Sequence, residues 1–216
     1  MGVRAVIFDV DGVLLDTEKI HVRAWEILFG KRGVTLSSET YRTGIGVSDA
    51  LFLERLRGEG RVPVSLDAGT LLAEKQELLL HLTRTSVKVF PGVRETLESL
   101  SREYVLGAAS NSPGEVLAQA LAGTGLAGFF ACVCAREDVE RPKPAPDTFL
   151  LCAHNLGVSP ERCVAVEDSA VGISAAQAAG MRCIAVTQTL DAGKLNEADI
   201  VLDAVSAEPI RRFIAG

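Results

Sequence analysis

The sequence predicts an α/β fold: a Rossmann-like parallel-sheet core interrupted by an inserted all-helical cap domain. Three observations support this. From residue 88 onward, short apolar runs alternate with helical periodicity, the pattern of a parallel sheet covered on both faces. Between the first apolar run and the second, residues 17–87 carry helical spacing and no convincing strand. The length, 216 residues, suits one large domain or one domain carrying an insertion. The core is accordingly assigned to residues 1–16 and 88–216 and the cap to 17–87, with linkers near 16–17 and 87–91. Two linkers permit hinge closure over a site.

The first strand is VRAVIFD, residues 3–9. Ile20, Ala24, Ile27 and Leu28 then recur at helical spacing, and Gly30 and Gly33 end that helix. A polar, glycine-rich stretch, YRTGIGVSDA, leads to a short helix over 49–56. Leu71, Leu72, Lys75, Leu78, Leu79 and Leu82 mark one face of a longer helix. In the core, a helix with Val93, Leu97 and Leu100 precedes the strand YVLGAAS, and one with Val116, Leu117, Ala120 and Leu121 precedes FFACVCA. A proline-rich loop, ERPKPAPD, leads to a helix over 148–155. The strand CVAVED is followed by SAVGISAAQAAG, read as a helix packed tightly on the sheet because it lacks the G-x-G-x-x-G of a dinucleotide loop. RCIAV and DIVL are the last strands.

Composition excludes some partners. A hydrophobic fraction of 48% and a charged fraction of 23% are ordinary for a globular protein, and a net charge of −6 leaves no basic footprint for nucleic acid. No apolar stretch approaches the roughly 18 residues of a membrane span. MGVRAVIFDVDG has no signal-peptide layout, and its Met-Gly start has Val6 where a myristoylation signal wants Ser or Thr. A cytoplasmic protein is expected, as a monomer or weak homo-oligomer, with neither nucleic acid nor membrane as partner. The five cysteines lie among apolar neighbours. Cys132 and Cys134 form a C-x-C, but no third ligand stands at metal-site spacing, so the thiols read as small buried hydrophobes in a reduced compartment.

The polar residues cluster after the apolar runs. The first strand ends in Asp9-Val10-Asp11-Gly12 and the second in Ser110-Asn111. Lys143 lies between two prolines after the third, and the fourth ends in Glu167-Asp168-Ser169. In a parallel sheet these groups converge on one edge, beyond the carboxyl ends of the strands. Four carboxylates crowded together repel, and a hard divalent cation relieves this. Oxygen-only donors indicate Mg²⁺ rather than zinc. A lysine, a serine hydroxyl and backbone N–H groups near Gly12 suit phosphoryl oxygens. One aspartate can then attack phosphorus while the other, two residues on, serves as general acid and base. Because the chain turns at Gly12, spacing alone leaves their geometry open.

D-x-D-G-V-L-x-D-T, a serine after the second strand, K-P-x-P and E-D-S, in this order across nearly the whole chain, resemble the haloacid dehalogenase superfamily of phosphatases and phosphomutases. The resemblance implies Asp9 as nucleophile and Asp11 as general acid/base. It implies that Ser110 and Lys143 hold the transferring phosphoryl group, with Asn111 beside them. It gives Mg²⁺ to Asp9, Asp168, the backbone carbonyl of Asp11 and Glu167, the last directly or through water. Thr17, His21 and Lys75 resemble hinge and cap positions in the branch holding β-phosphoglucomutase and sugar-phosphate phosphatases. That mutase carries a Lys before and an Arg after a G-V-S sequence in its cap loop. Here the loop reads Ile45-Gly46-Val47-Ser48-Asp49, so both basic positions are lost and one is acidic.

The expected function is therefore a Mg²⁺-dependent phosphatase for a small phosphorylated metabolite, most simply a sugar phosphate. The alternatives are a β-phosphoglucomutase-like mutase and, outside enzymes, a phospho-accepting receiver module. Receivers lack the helical insert and the K-P-x-P loop, and dehalogenases lack the second Asp of D-x-D. Buried charges without function are rare unless paired, which weighs for the joint acid–lysine pattern. Asp16 is read as a helix cap. His21 and Lys75 are read as hinge or partly exposed cap residues, His81 and His154 as surface residues, and Trp25 as core. Arg42 and the loop TGIGVSD are where substrate specificity is expected.

Overall fold

Ala5–Phe8 (β1) is an unbroken apolar run, and all four of its residues are buried because both faces of the strand are covered. This computed structural model describes residues 2–44 and 47–216. Among them, β1 pairs with Val105–Ala109 (β2) and Cys163–Glu167 (β4). Cys132–Cys134 (β3) extends the sheet beyond β2, and Arg182–Val186 (β5) and Ile200–Leu202 (β6) extend it beyond β4. The order is β3-β2-β1-β4-β5-β6, with every pairing parallel. Phe8 stands in register with Ala108 and Val166, so the chain segments after β1, β2 and β4 emerge together at one edge. The strand order reverses beside β1, the switch point where such sheets open a crevice.

Alternation along β1 divides the core into two layers. Val6 and Phe8 join Leu97, Leu117 and Ile210 on one face. Ala5 and Ile7 join Phe149 and Ile173 on the other. The first face is covered by Val93–Leu100 (α5), Gly114–Gly123 (α6) and Ala207–Ala215 (α9), the second by Asp147–Asn155 (α7) and Ala170–Ala178 (α8). Among the described residues four helices precede α5: Glu18–Gly30 (α1), Ser38–Arg42 (α2), Asp49–Gly58 (α3) and Ala68–Ser86 (α4).

These four helices form the cap and close on their own cluster of Trp25, Leu28, Phe29, Phe52, Leu53, Leu56 and Leu71. Ile20, Ala24 and Leu79 seat the cap against Val116 of α6. The chain leaves and returns along one antiparallel seam. Asp16 N donates to Lys88 O (2.9 Å), Phe90 N donates to Leu14 O (3.0 Å), and Leu15 bridges Val89.

All six strands lie within the runs that predicted them. Helices α2 and α9 lie outside the predicted elements. α2 is a five-residue turn of helix, too short to display a 3.6-residue period, started by Ser37 Oγ accepting from Thr40 N at 3.1 Å. α9 rests on Ile210, with Phe213 and Ile214 packed against the same core. Asp16 does not cap α1. Its carboxylate accepts from Lys19 Nζ at 2.6 Å, and Thr17 holds the cap position without a side-chain cap bond, because its hydroxyl is given to Asp11. Among the described residues no helix is long and apolar enough to cross a membrane.

Candidate active site

Where β1 ends, Asp9 N still donates to Val166 O (2.9 Å), so the ladder holds the aspartate at the sheet edge. The chain then turns at Gly12, whose φ of +82° is left-handed; a Cβ there would lie 2.0 Å from Asp168 Oδ2. Glycine satisfies both demands, and this brings Asp168 against the turn. Gly12 is a turn residue off the cavity wall, and its carbonyl accepts from Gln188 Nε2 at 3.0 Å.

Lys143 enters from the loop between β3 and α7 and is 6% exposed. Its Nζ donates to Asp9 Oδ1 and Glu167 Oε1, both at 2.6 Å, and to Ala109 O at 2.8 Å. The ammonium also lies 4.5 Å from the centroid of the Phe149 ring. Asn111 grips the lysine's backbone: Asn111 Nδ2 donates to Lys143 O, and Lys143 N donates to Asn111 Oδ1, both at 3.0 Å. Asn111 lines the cavity, but its amide is engaged in positioning Lys143.

Glu167 Oε2 accepts from Asp168 N and Ser169 Oγ, both at 3.1 Å, and Ser169 caps α8 by accepting from Gly172 N. A Cβ at Gly172 would lie 1.9 Å from the Glu167 carboxyl carbon. Gly172→Ala is therefore expected to displace Glu167 or its helix and to destabilise the fold by about 1–3 kcal/mol, the usual cost of overpacking a core. Thermal melting checks this; a variant that melts with the wild type would contradict the packing. Asp168 accepts from Thr189 Oγ1.

Burial, reinforced by neighbouring acids, pushes Asp9 and Asp168 well above the ordinary carboxylate range; Lys143 opposes this at Asp9. Burial also works against the charge on Lys143, but Asp9 and Glu167 outweigh it and hold its pKa up. One lysine cannot neutralise three acids. Ligand oxygens of Asp9, Glu167 and Asp168 lie within 4.8 Å of one another. An all-oxygen, excess-negative donor set of this kind fits a hard divalent cation such as Mg²⁺.

Asp11 is turned away from those three acids. Its Oδ1 accepts from Thr17 Oγ1 (2.6 Å), and its Oδ2 accepts from Ser110 Oγ (2.9 Å) and Ser112 Oγ (2.7 Å). Thr17 thus ties the start of the cap to Asp11. Ser110 is fully buried and donates to Asp11.

The cap supplies the opposite wall through His21, Val22, Trp25, Tyr41, Phe52 and Asp49. Lys75 is off the wall and completely buried, contrary to a partly exposed position. Its Nζ donates to Asp49 and lies 3.1 Å from His21 Nδ1. Burial, with help from Lys75 at His21, lowers the pKa of both Lys75 and His21. Asp49 is held below its usual range despite burial, because Lys75 and His21 face it. Trp25 belongs to the cap core, stacked on Phe29 with centroids 4.9 Å apart, yet it also lines the cavity and donates Nε1–H to Asp49 (3.3 Å).

Arg42 is not brought to the cavity. It ends α2 on the exposed side, while its neighbour Tyr41 takes the inward position. Ile45 and Gly46 of the expected specificity loop lie outside the described residues; Val47, Ser48 and Asp49 line the cavity. His81 and His154 are exposed, as expected. The residues missed in sequence are Ser112, Thr189 and Glu18. Glu18 lines the cavity, and burial with the nearby Asp11 raises its pKa to about 8. Its signal was its place directly after Thr17.

The fold and the four strand-end motifs define an acid–lysine site on a capped parallel sheet. The family model for haloacid dehalogenase-like hydrolases matches residues 6–186, and the chain belongs to this family. It is 34% identical over 181 residues to fructose-1-phosphate phosphatase YqaB of Escherichia coli, covering 84% of this chain and 95% of that protein. CbbY from Rhodobacter sphaeroides, solved in complex with phosphate, superposes with a TM-score of 0.84 at 29% identity over 95% of this chain and 96% of CbbY. β-Phosphoglucomutase from Clostridium difficile also superposes at 0.84, with 26% identity over 99% of this chain and 97% of that one.

Proposed function

We propose that this hydrolase is a Mg²⁺-dependent phosphatase that cleaves a small sugar phosphate through an aspartyl phosphate on Asp9. The observation that carries the reading is the meeting of Asp9, Lys143 and Asp168 at the floor of a cavity roofed by the cap, with Glu167 buried behind them on Lys143. Similarity to a fructose-1-phosphate phosphatase supports the substrate class. The division into a core of residues 1–16 and 88–216 and a cap of 17–87 belongs to the same reading; the apolar cluster of the cap favours it.

In this mechanism a carboxylate oxygen of Asp9 attacks phosphorus, the bond to the sugar oxygen breaks, and Asp11 protonates that leaving oxygen. Water then attacks phosphorus and gives its proton to Asp11, breaking the bond to Asp9 and releasing inorganic phosphate. Lys143 and Ser110 hold phosphoryl oxygens. Thr17, Ser110 and Ser112 hold Asp11 until substrate arrives. Asp9, Asp168 and the Asp11 carbonyl, with Glu167 beside them, would hold a magnesium ion, which would supply charge neutralisation for the phosphoryl oxygens.

A mutase is the second reading, favoured by the likeness to β-phosphoglucomutase. Asp49 weighs against it. Its carboxylate faces the cavity and already takes the buried Lys75, leaving an acid where a second phosphate would sit.

The test is a panel of sugar phosphates, with fructose 1-phosphate among them, incubated with Mg²⁺ and followed by phosphorus NMR. Steady release of inorganic phosphate, silenced by EDTA and restored by Mg²⁺, is expected. Phosphate retained on an isomerised sugar would favour the mutase, and a single stoichiometric phosphorylation would favour a receiver.

A further inference from the structure

We infer that Cys132, Cys134 and Cys152 form a second metal site, a thiolate pocket for a soft d¹⁰ cation on the opposite side of β3 from solvent. Cys132 and Cys134 stand two apart on β3, so the pleat points both sulfurs to one face. Helix α7 crosses that face and brings in Cys152. The three sulfurs lie within 4.8 Å of one another, with Cys132 and Cys134 Sγ at 3.4 Å, and all three are free thiols. Around a d¹⁰ ion with metal–sulfur bonds of about 2.3 Å, ligand sulfurs sit about 4 Å apart.

The backbone makes room for this convergence. Gly107 of β2 is the register partner of Cys132, and a Cβ there would lie 2.6 Å from Cys152 Sγ. The missing side chain is the space into which the third sulfur reaches. Asn155 Nδ2 lies 3.9 Å from Cys134 Sγ, an amide donor behind a ligand of the kind that supports metal sites. Cys132 is only half-buried, on an edge strand, and gives an ion a way in. Among the described residues no carboxylate or imidazole shares the group, so it suits a thiophilic ion and not the hard cation of the acidic cluster. Each thiol that ligates releases its proton to solvent.

The probe is Cd²⁺, titrated into the reduced full-length protein in excess Mg²⁺, which occupies the carboxylates. The expected result is one equivalent bound per chain, with thiolate-to-cadmium charge transfer in the ultraviolet. Cys132→Ser, at the half-buried edge, and Cys152→Ser should each weaken binding by more than the roughly 10–100-fold that changes around a ligand produce. Cys163→Ser, outside the group, should leave the titration unchanged. No charge-transfer band, or a band that survives Cys132→Ser in a folded variant, would overturn the site and leave three thiols that only fill the core.

Discussion

Asp9→Asn is expected to yield a folded protein whose phosphatase turnover falls by at least about 10³-fold, the scale seen when a nucleophile is removed. The amide keeps the shape of the side chain and an oxygen to accept from Lys143 Nζ, but it has no carboxylate to attack phosphorus. Stability should hold or rise. Burial and the neighbouring acids already push the Asp9 carboxyl toward its neutral form, so replacing it with a neutral isostere removes an electrostatic penalty. The measurements are steady-state release of phosphate, melting temperature, and mass spectrometry to exclude deamidation back to aspartate. Turnover within about tenfold of wild type would remove Asp9 from the nucleophile's role.

Lys143→Met should have the largest effect on stability. The thioether matches the lysine stem in length but leaves Asp9, Glu167 and Asp168 buried without their cation. Breaking a buried pair from one side costs about 3–5 kcal/mol. For a chain of this size that lowers the melting temperature by roughly 6–20 °C. The loss should depend on pH. Lys143 has its folded-state pKa raised, so its contribution is fully present below the unfolded lysine value and disappears only in strong base. Asp9 has its folded-state pKa raised, so the native state binds more protons than the unfolded one, and stability falls as pH rises between the two values. Removing Lys143 widens that window. The deficit should be larger near pH 8 than near pH 5, and Mg²⁺ should narrow it. A variant that melts within about 2 °C of wild type near pH 8 would show that the lysine does not offset the acids.

Much of the candidate site was legible because its residues follow strands that identify themselves. Apolar runs such as AVIF and CVAV belong in a core, and the charged residues that follow them then lie at one edge. Residues whose importance comes from a partner distant in sequence were not legible. Ser112 is an ordinary loop serine until the fold sets it against Asp11, 101 residues away. Thr189 matters only because it meets Asp168, and Lys75 only because Asp49 and His21 enclose it. Arg42 failed in the other direction: a cation at a plausible place in the chain faces outward because helical rotation gives the inward position to Tyr41.

By itself the sequence determined the parallel sheet, the helical insert and the acid–lysine set of Asp9, Lys143, Glu167 and Asp168. These follow from short-range patterning, since apolar periodicity and strand ends are local properties of a chain. Only the tertiary structure decided that Asp11 turns toward Thr17, Ser110 and Ser112, that Asn111 holds the backbone of Lys143, and that Cys152 joins the C-x-C of β3. Each of these depends on where one element crosses another, and on glycines such as Gly107 and Gly172 whose missing side chains let distant groups approach. That information resides in packing, which no local pattern encodes.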